Sequence, residues 1–109
     1  MALTPAALQG GILLTTTPAA IYTGPANTRA VIKRAVFSNV TASPATLTVT
    51  STRSGGTALG VITAFSVPAN SDYEPPALAN WVVQPGDVLT ASCGTAASVN
   101  AFINGFTVV

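Results

Sequence analysis

Apolar and polar positions alternate at period two over most of this chain, and turn-forming residues interrupt the alternation at short intervals. Residues 46–52 read Thr-Leu-Thr-Val-Thr-Ser-Thr, which puts Leu47 and Val49 on one face and a ladder of hydroxyls on the other. That is the pattern of a half-buried β-strand, so Leu47 and Val49 are assigned to the core. Arg53-Ser54-Gly55-Gly56-Thr57 supplies a turn, after which Leu59, Val61, Thr63, Phe65 and Val67 continue at period two.

The rest of the chain parses in the same way. Short strands are expected at 11–16 and 19–23, separated by Pro18, and a turn at 24–27 precedes a long strand at 29–39. Pro68-Ala69-Asn70 leads into a short strand at 71–74 that Pro75-Pro76 ends, and residues 77–81 have room for one helical turn. Gln84-Pro85-Gly86-Asp87 is a turn, with proline preset for its first central position. Two strands, 88–93 and 98–108, joined through 94–97, close the chain. Pro-Ala-Asn recurs at 25–27 and 68–70, each time after an aromatic-bearing strand, and predicts two similar hairpins. About eight short strands at such spacings point to an all-β, antiparallel β-sandwich of jelly-roll type. Residues 1–10 are assigned to an extended N-terminal arm and 11–109 to a single sandwich domain.

Two strands break the simple alternation. Residues 29–39 are apolar on both faces, with Val31, Ala35 and Phe37 on one and Ala30, Ile32 and Val36 on the other. Residues 98–108 place Val99, Ala101 and Ile103 opposite Phe102, Phe106 and Val108. A two-layer sandwich covers only one face of each strand, so the second is expected to be covered by a neighbouring subunit, with a loop or the N-terminal segment of the same chain as the alternative.

Composition changes this picture by removing chemistry. The chain has 109 residues, no histidine, four basic and three acidic side chains, and a formal net charge of +1. A single cysteine, Cys93, excludes an intrachain disulfide, and no zinc site of the usual nitrogen and sulfur type is available within one chain. Cys93 lies in the alternation Leu89, Ala91, Cys93 and is read as a small buried hydrophobe. Asp72 and Glu74 share a strand face but are assigned to ion pairs with the nearby basic residues, and Asp87 to local backbone bonds after its turn. No catalytic residue, cofactor or metal is expected. The Gly-Gly pairs match no phosphate-binding fingerprint, and the near-balanced charge gives no footprint for nucleic acid. No window approaches the roughly 20 apolar residues of a membrane span, and the absence of a basic residue before Arg29 predicts synthesis in the cytoplasm.

What remains is contact with other protein. Arg29, Lys33 and Arg34 form the one basic cluster, with Arg29 and Lys33 expected on one face and Arg34 on the other. One of the central pair is expected to meet a carboxylate of the same subunit, Asp72 or Glu74, and the other a neighbour. With Phe102, Phe106 and Trp81 they make the candidate protein-interface set, Trp81 being read as core packing or an intersubunit anchor. Trp81 and Tyr73 also raise a carbohydrate-binding sandwich module, which requires the two rings to be exposed together in a groove.

The run Ile21-Tyr22-Thr23-Gly24-Pro25-Ala26-Asn27-Thr28-Arg29-Ala30-Val31-Ile32-Lys33, continued by Val36-Phe37-Ser38-Asn39 and Ala45-Thr46-Leu47-Thr48-Val49, resembles small virion proteins of tailed phages. Val67-Pro68-Ala69-Asn70-Ser71, the stretch 84–91 and the closing strand 99–109 are similar as well. The resemblance implies a non-enzymatic virion component made in the host cytoplasm. Its implied forms are a capsid decoration (cement) protein or head-fibre-type sandwich, often a homotrimer, whose partners are its own copies and the major capsid protein. A tail or neck component is the alternative within the same class. The resemblance carries over no ligand or catalytic residue.

Overall fold

The computed structural model describes residues 3–94 and 99–108. Nine strands lie among them: β1 (Leu3–Leu13), β2 (Ala19–Thr23), β3 (Arg29–Asn39), β4 (Ala45–Thr52), β5 (Ala58–Val67), β6 (Asp72–Tyr73), β7 (Trp81–Val83), β8 (Val88–Cys93) and β9 (Val99–Val108). One sheet has the order β1-β9-β3-β6, with β7 also paired to β3, and the other the order β2-β8-β4-β5; every pairing is antiparallel. Each strand of the first sheet thus has a chain neighbour at the same place in the second, which is jelly-roll order. The strand beyond the expected eight is β7. Pro75-Pro76 stops β6, the chain makes a 3-10 turn at Pro76–Leu78, and Asn80 at φ 64° sends it back along β3.

The core is built from the inward faces of both sheets. Ile32, Phe37, Leu47, Val49, Val67, Leu78, Val99 and Ile103 are fully buried, and Leu47 and Val49 stand where the Thr/Val alternation puts them. Cys93 is buried in the same layer. The two Pro-Ala-Asn corners are alike, with Asn27 at φ 57° and Asn70 at φ 52°, a region that asparagine tolerates. They are not hairpins, because each carries the chain from one sheet to the other, from β2 to β3 and from β5 to β6.

Bulges account for the places where period two misleads. In β3 the pairing with β9 slips between Ile32 and Arg34, so Lys33 is an extra residue. The slip brings Ala30, Ile32, Ala35 and Phe37 to one inward face, all buried, and Val31 and Val36 together to the other. The expected split, with Val31 beside Ala35 and Phe37, is thereby corrected. Two register shifts between β4 and β5, with Ala64 at φ 47°, do the same for β5. Ile62 enters the core, Val61 stays half-buried against it, Thr63 is exposed, and Leu59 is 68% exposed at the rim.

The N-terminal segment also departs from expectation. Residues 3–10, assigned to an arm, belong to β1 and pair with β9 of the same chain, and Leu8 and Ile12 pack against the core. Apolar residues at 8 and 12 on an uncharged strand gain more by covering β9 than by staying in water. Met1, Ala2, residues 95–98, on which most of the expected 94–97 connection falls, and Val109 lie outside the described residues.

The β3 bulge places a steric requirement on its partner strand. A Cβ on Gly105 would stand 2.0 Å from the carbonyl oxygen of Val31, so only glycine fits there. Gly105→Ala is expected to lower stability by about 3 kcal/mol or more, since neither backbone can yield without undoing the bulge. Denaturant unfolding checks it; a midpoint within error of the parent would show that the bulge is soft.

Candidate protein interface

Because β9 is regular, its even-numbered residues all point away from the core. Asn100, Phe102, Asn104, Phe106 and Val108 line the outer face, beside Arg29, Val31, Arg34, Val36 and Ser38 of β3. Phe102 is 37% exposed, with its ring against the backbone of Gly11, and Val82 on β7 is also 37% exposed beside Val31. Two apolar rows, Val31 with Phe106 and Val36 with Phe102, flank the polar row of Arg34 and Asn104, and none of the described elements covers them.

Two of the charged residues, Arg29 and Arg34, lie on this same face. Strands β1, β2, β8 and β9 carry none, and all seven charges of the chain sit on β3, on β6 and next to it, and in the turns at 53–57 and 84–87. Arg34 forms an ion pair with Glu74, and both side chains are more than half exposed. Lys33 Nζ donates to Asn80 Oδ1 at 2.9 Å, and Asp72 accepts a 2.6 Å bond from Ser38 Oγ. Lys33, Arg34, Glu74, Pro75, Pro76 and Ala79 line an open notch of about 170 Å³ beside the sheet. Among the described residues, Lys33, Arg29 and Asp72 make no ion pair. Arg29, Lys33 and Arg34 are all exposed, so the expectation that Arg34 points to the opposite face is corrected by the bulge.

The second ion pair is structural. Asp87 is buried; its carboxylate accepts from Arg53 Nη1, from the Ser54 N–H at 3.1 Å and from the Gln84 N–H at 3.0 Å. Burial alone would push this carboxyl up, but Arg53 and the two backbone donors outweigh it and hold the group below the ordinary carboxylate value. The Arg53 guanidinium also lies 5.9 Å from the centroid of the Trp81 ring.

Of the six candidate interface residues, Arg29, Arg34, Phe102 and Phe106 share the outer face, and Lys33 sits at its notched edge. Trp81 does not join them. It pairs with the inward-facing Ile32, packs half-buried against the core and meets Arg53. Tyr73 is stacked on Phe65 with centroids 4.0 Å apart, so the two aromatic side chains are engaged separately and form no common platform. Asp72 and Glu74 have different partners and converge on no cleft. Among the described residues no three potential metal ligands gather. Sequence reasoning missed Asn104 and the shared side of Val31 and Val36; the even spacing of 102, 104 and 106 signals the former, but nothing local signals the slip at Lys33.

The sequence matches no protein-family model and no curated protein. Solved structures do match. A structure from Bacillus endospore appendages, a family of disulfide-linked pili, aligns over 96% of this chain and 86% of its own, at 20% identity and TM-score 0.57. A chain from the T13 viral particle of infectious bursal disease virus aligns over 97% of this chain, at 11% identity and TM-score 0.58. The Gx strain of that virus gives 97% coverage, 11% identity and TM-score 0.52. This chain spans 30% and 32% of those two viral chains. The likeness at these identities is one of fold, a two-sheet antiparallel sandwich.

Proposed function

We propose that the chain is a non-enzymatic structural subunit of a phage particle, a capsid decoration protein that associates with its own copies and docks on the head shell. The observation that carries this reading is the outer face of the larger sheet, where the apolar rows of Phe102 and Phe106 are covered by none of the described elements. Exposed apolar faces of this extent mark protein contacts. The particle itself rests on the resemblance of the 21–49 and 84–91 stretches to phage virion proteins, and the sandwich seen in viral particle chains agrees with it. The homotrimer rests on that resemblance as well.

In this reading the notched edge docks on the shell. Lys33 is the cation there with only a neutral partner, and it meets a carboxylate of the shell protein. The mechanism is mechanical: each copy adds buried area across neighbouring shell subunits, and linked copies attach with raised avidity. The carbohydrate-module reading finds no support in Trp81 and Tyr73, whose rings are engaged separately, by Arg53 and by Phe65. A disulfide-linked pilus would need a thiol at the surface, and Cys93 is buried.

Electron cryo-microscopy of particles that contain the chain tests the location. Density for many copies on the head is expected; density confined to the neck or tail, or absence from particles, overturns the decoration reading. Lys33→Ala is expected to weaken attachment about tenfold at low salt and less at high salt, measured by co-sedimentation with particles. An unchanged affinity at both salts would remove Lys33 from the docking site.

A further inference from the structure

The outer face of the larger sheet is self-complementary along its strands. Its rows follow from the pairing of β3 with β9. Val31 lies beside Phe106 and Val36 beside Phe102, and the row between them is Arg34 beside Asn104. A step from the centre in either direction therefore meets the same pair of residue types, valine on β3 and phenylalanine on β9. The bulge at Lys33 makes this possible, because without the slip Val31 and Val36 would fall on opposite faces.

The ends of the same face carry opposite charges. Arg29 lies beyond the Val31 row, opposite Val108. Beyond the Val36 row lies Ser38, whose hydroxyl bonds Asp72 on the same side of the sheet. Arg29 and Asp72 are both exposed and neither is in an ion pair of the described residues. Arg34 reaches sideways to Glu74 at the notch, so its charge is neutralised at the edge of the apolar area.

We infer that the occupant of this face is a second copy of the chain, packed sheet against sheet about a two-fold axis through Asn104, with the two β3 strands running in opposite directions. The rotation sets Phe102 against the partner's Phe106 and brings Arg29 to the partner's Asp72, twice. Arg34, in the axis row, then faces its own copy with each side chain already paired to Glu74, whereas a two-fold with parallel β3 strands would oppose Arg29, in no ion pair of the described residues, to its own copy, and the charges disfavour it. The size is sufficient. Three strands of about ten residues give a face roughly 33 Å long and 14 Å wide, which with side-chain relief and β7 approaches the 600–1,000 Å² per partner of a stable interface. This rests on the self-association part of the proposed function and requires no particle. It also replaces the three-fold oligomer by a two-fold pair.

The test uses the full chain in solution, by analytical ultracentrifugation over micromolar concentrations, with circular dichroism to confirm folding. The parent is expected to be a dimer and Phe102→Asp a monomer. Arg29→Asp and Asp72→Arg are each expected to raise the dimer Kd about tenfold at low salt, because each removes two symmetry-related pairs. The double variant, Arg29→Asp with Asp72→Arg, is expected to return to within about threefold of the parent. These positions are exposed, so loss of folding is not the expected outcome; Phe102→Ser serves if the aspartate disturbs the sheet. A monomeric or trimeric parent overturns the inference, and so does a folded double variant that stays as weak as the singles. Failure of particle docking with an intact dimer would overturn the virion reading alone.

Discussion

Leu47→Ala is expected to cost about 2–5 kcal/mol of folding stability, and Thr48→Ala, one residue away, about 1 kcal/mol or less. Leu47 is fully buried in the middle of β4, between Cys93 of β8 and Phe65 of β5, so truncation leaves a cavity that two strands would have to close. Thr48 points the other way, half-exposed, and its hydroxyl accepts only a long bond, 3.4 Å, from the Ala64 N–H at the β5 bulge. Urea unfolding of the two variants measures both. Equal small losses would mean that β4 does not face the core as described, and with it the packing of the smaller sheet would fall.

The contrast between those neighbours was legible because β4 has no bulge on its β8 side: Leu47 to Thr52 step regularly against Cys93 to Val88. Period two holds wherever pairing is regular, which is why β9 and β8 also read correctly. It fails where one residue is inserted, since a single extra residue transfers all later side chains to the other face. Lys33 in β3 and the shifts in β5 are such insertions, and their cause is non-local. The close approach of Val31 to Gly105, seventy-four positions along the chain, fixes the β3 slip, and no window of sequence contains both.

The same cause limited what could be read of the interface. Phe102 and Phe106 stand out locally because β9 places them two rows apart on one face, with Val99, Ala101 and Ile103 already accounting for the core. Their partners on β3 appear only after the slip. Trp81 was legible only as core packing or an interface anchor, since aromatic residues favour both, and the choice depends on β7 returning along β3, which two prolines and a left-handed Asn80 arrange. The Arg34–Glu74 pair was readable as a class of contact, and the 40-residue separation closes because β6 is laid antiparallel on β3.

Asp87→Ala is expected to cost about 3 kcal/mol at neutral pH, with Asp87→Asn intermediate and the loss shrinking as the solution is acidified. Asp87 joins three turns at one end of the sandwich, two through its carboxylate and the third through its backbone. It accepts from Ser54 in the turn after β4 and from Gln84 in its own turn, while its backbone carbonyl accepts from Gly24 at 2.8 Å and the Gly86 N–H donates to Gly24 in return. Gly24 has no room for a side chain, since a Cβ would lie 2.2 Å from the Gln84 carbonyl oxygen, so the turns are already in backbone contact. Removing the carboxylate leaves two N–H donors and Arg53 without their acceptor. Arg53 is half exposed and recovers water, which keeps the cost below that of a fully buried pair. The folded value of the Asp87 carboxyl is below that of the unfolded chain. Its stabilisation is therefore complete above the unfolded value, near 4, and is lost as pH falls through the lower folded value. Thermal or urea unfolding of the parent and Asp87→Asn between about pH 7 and pH 2 should show the two curves converging at the acid end. A gap that stays constant across that range would show that the charge of Asp87 contributes nothing and that only its shape is needed in the turn.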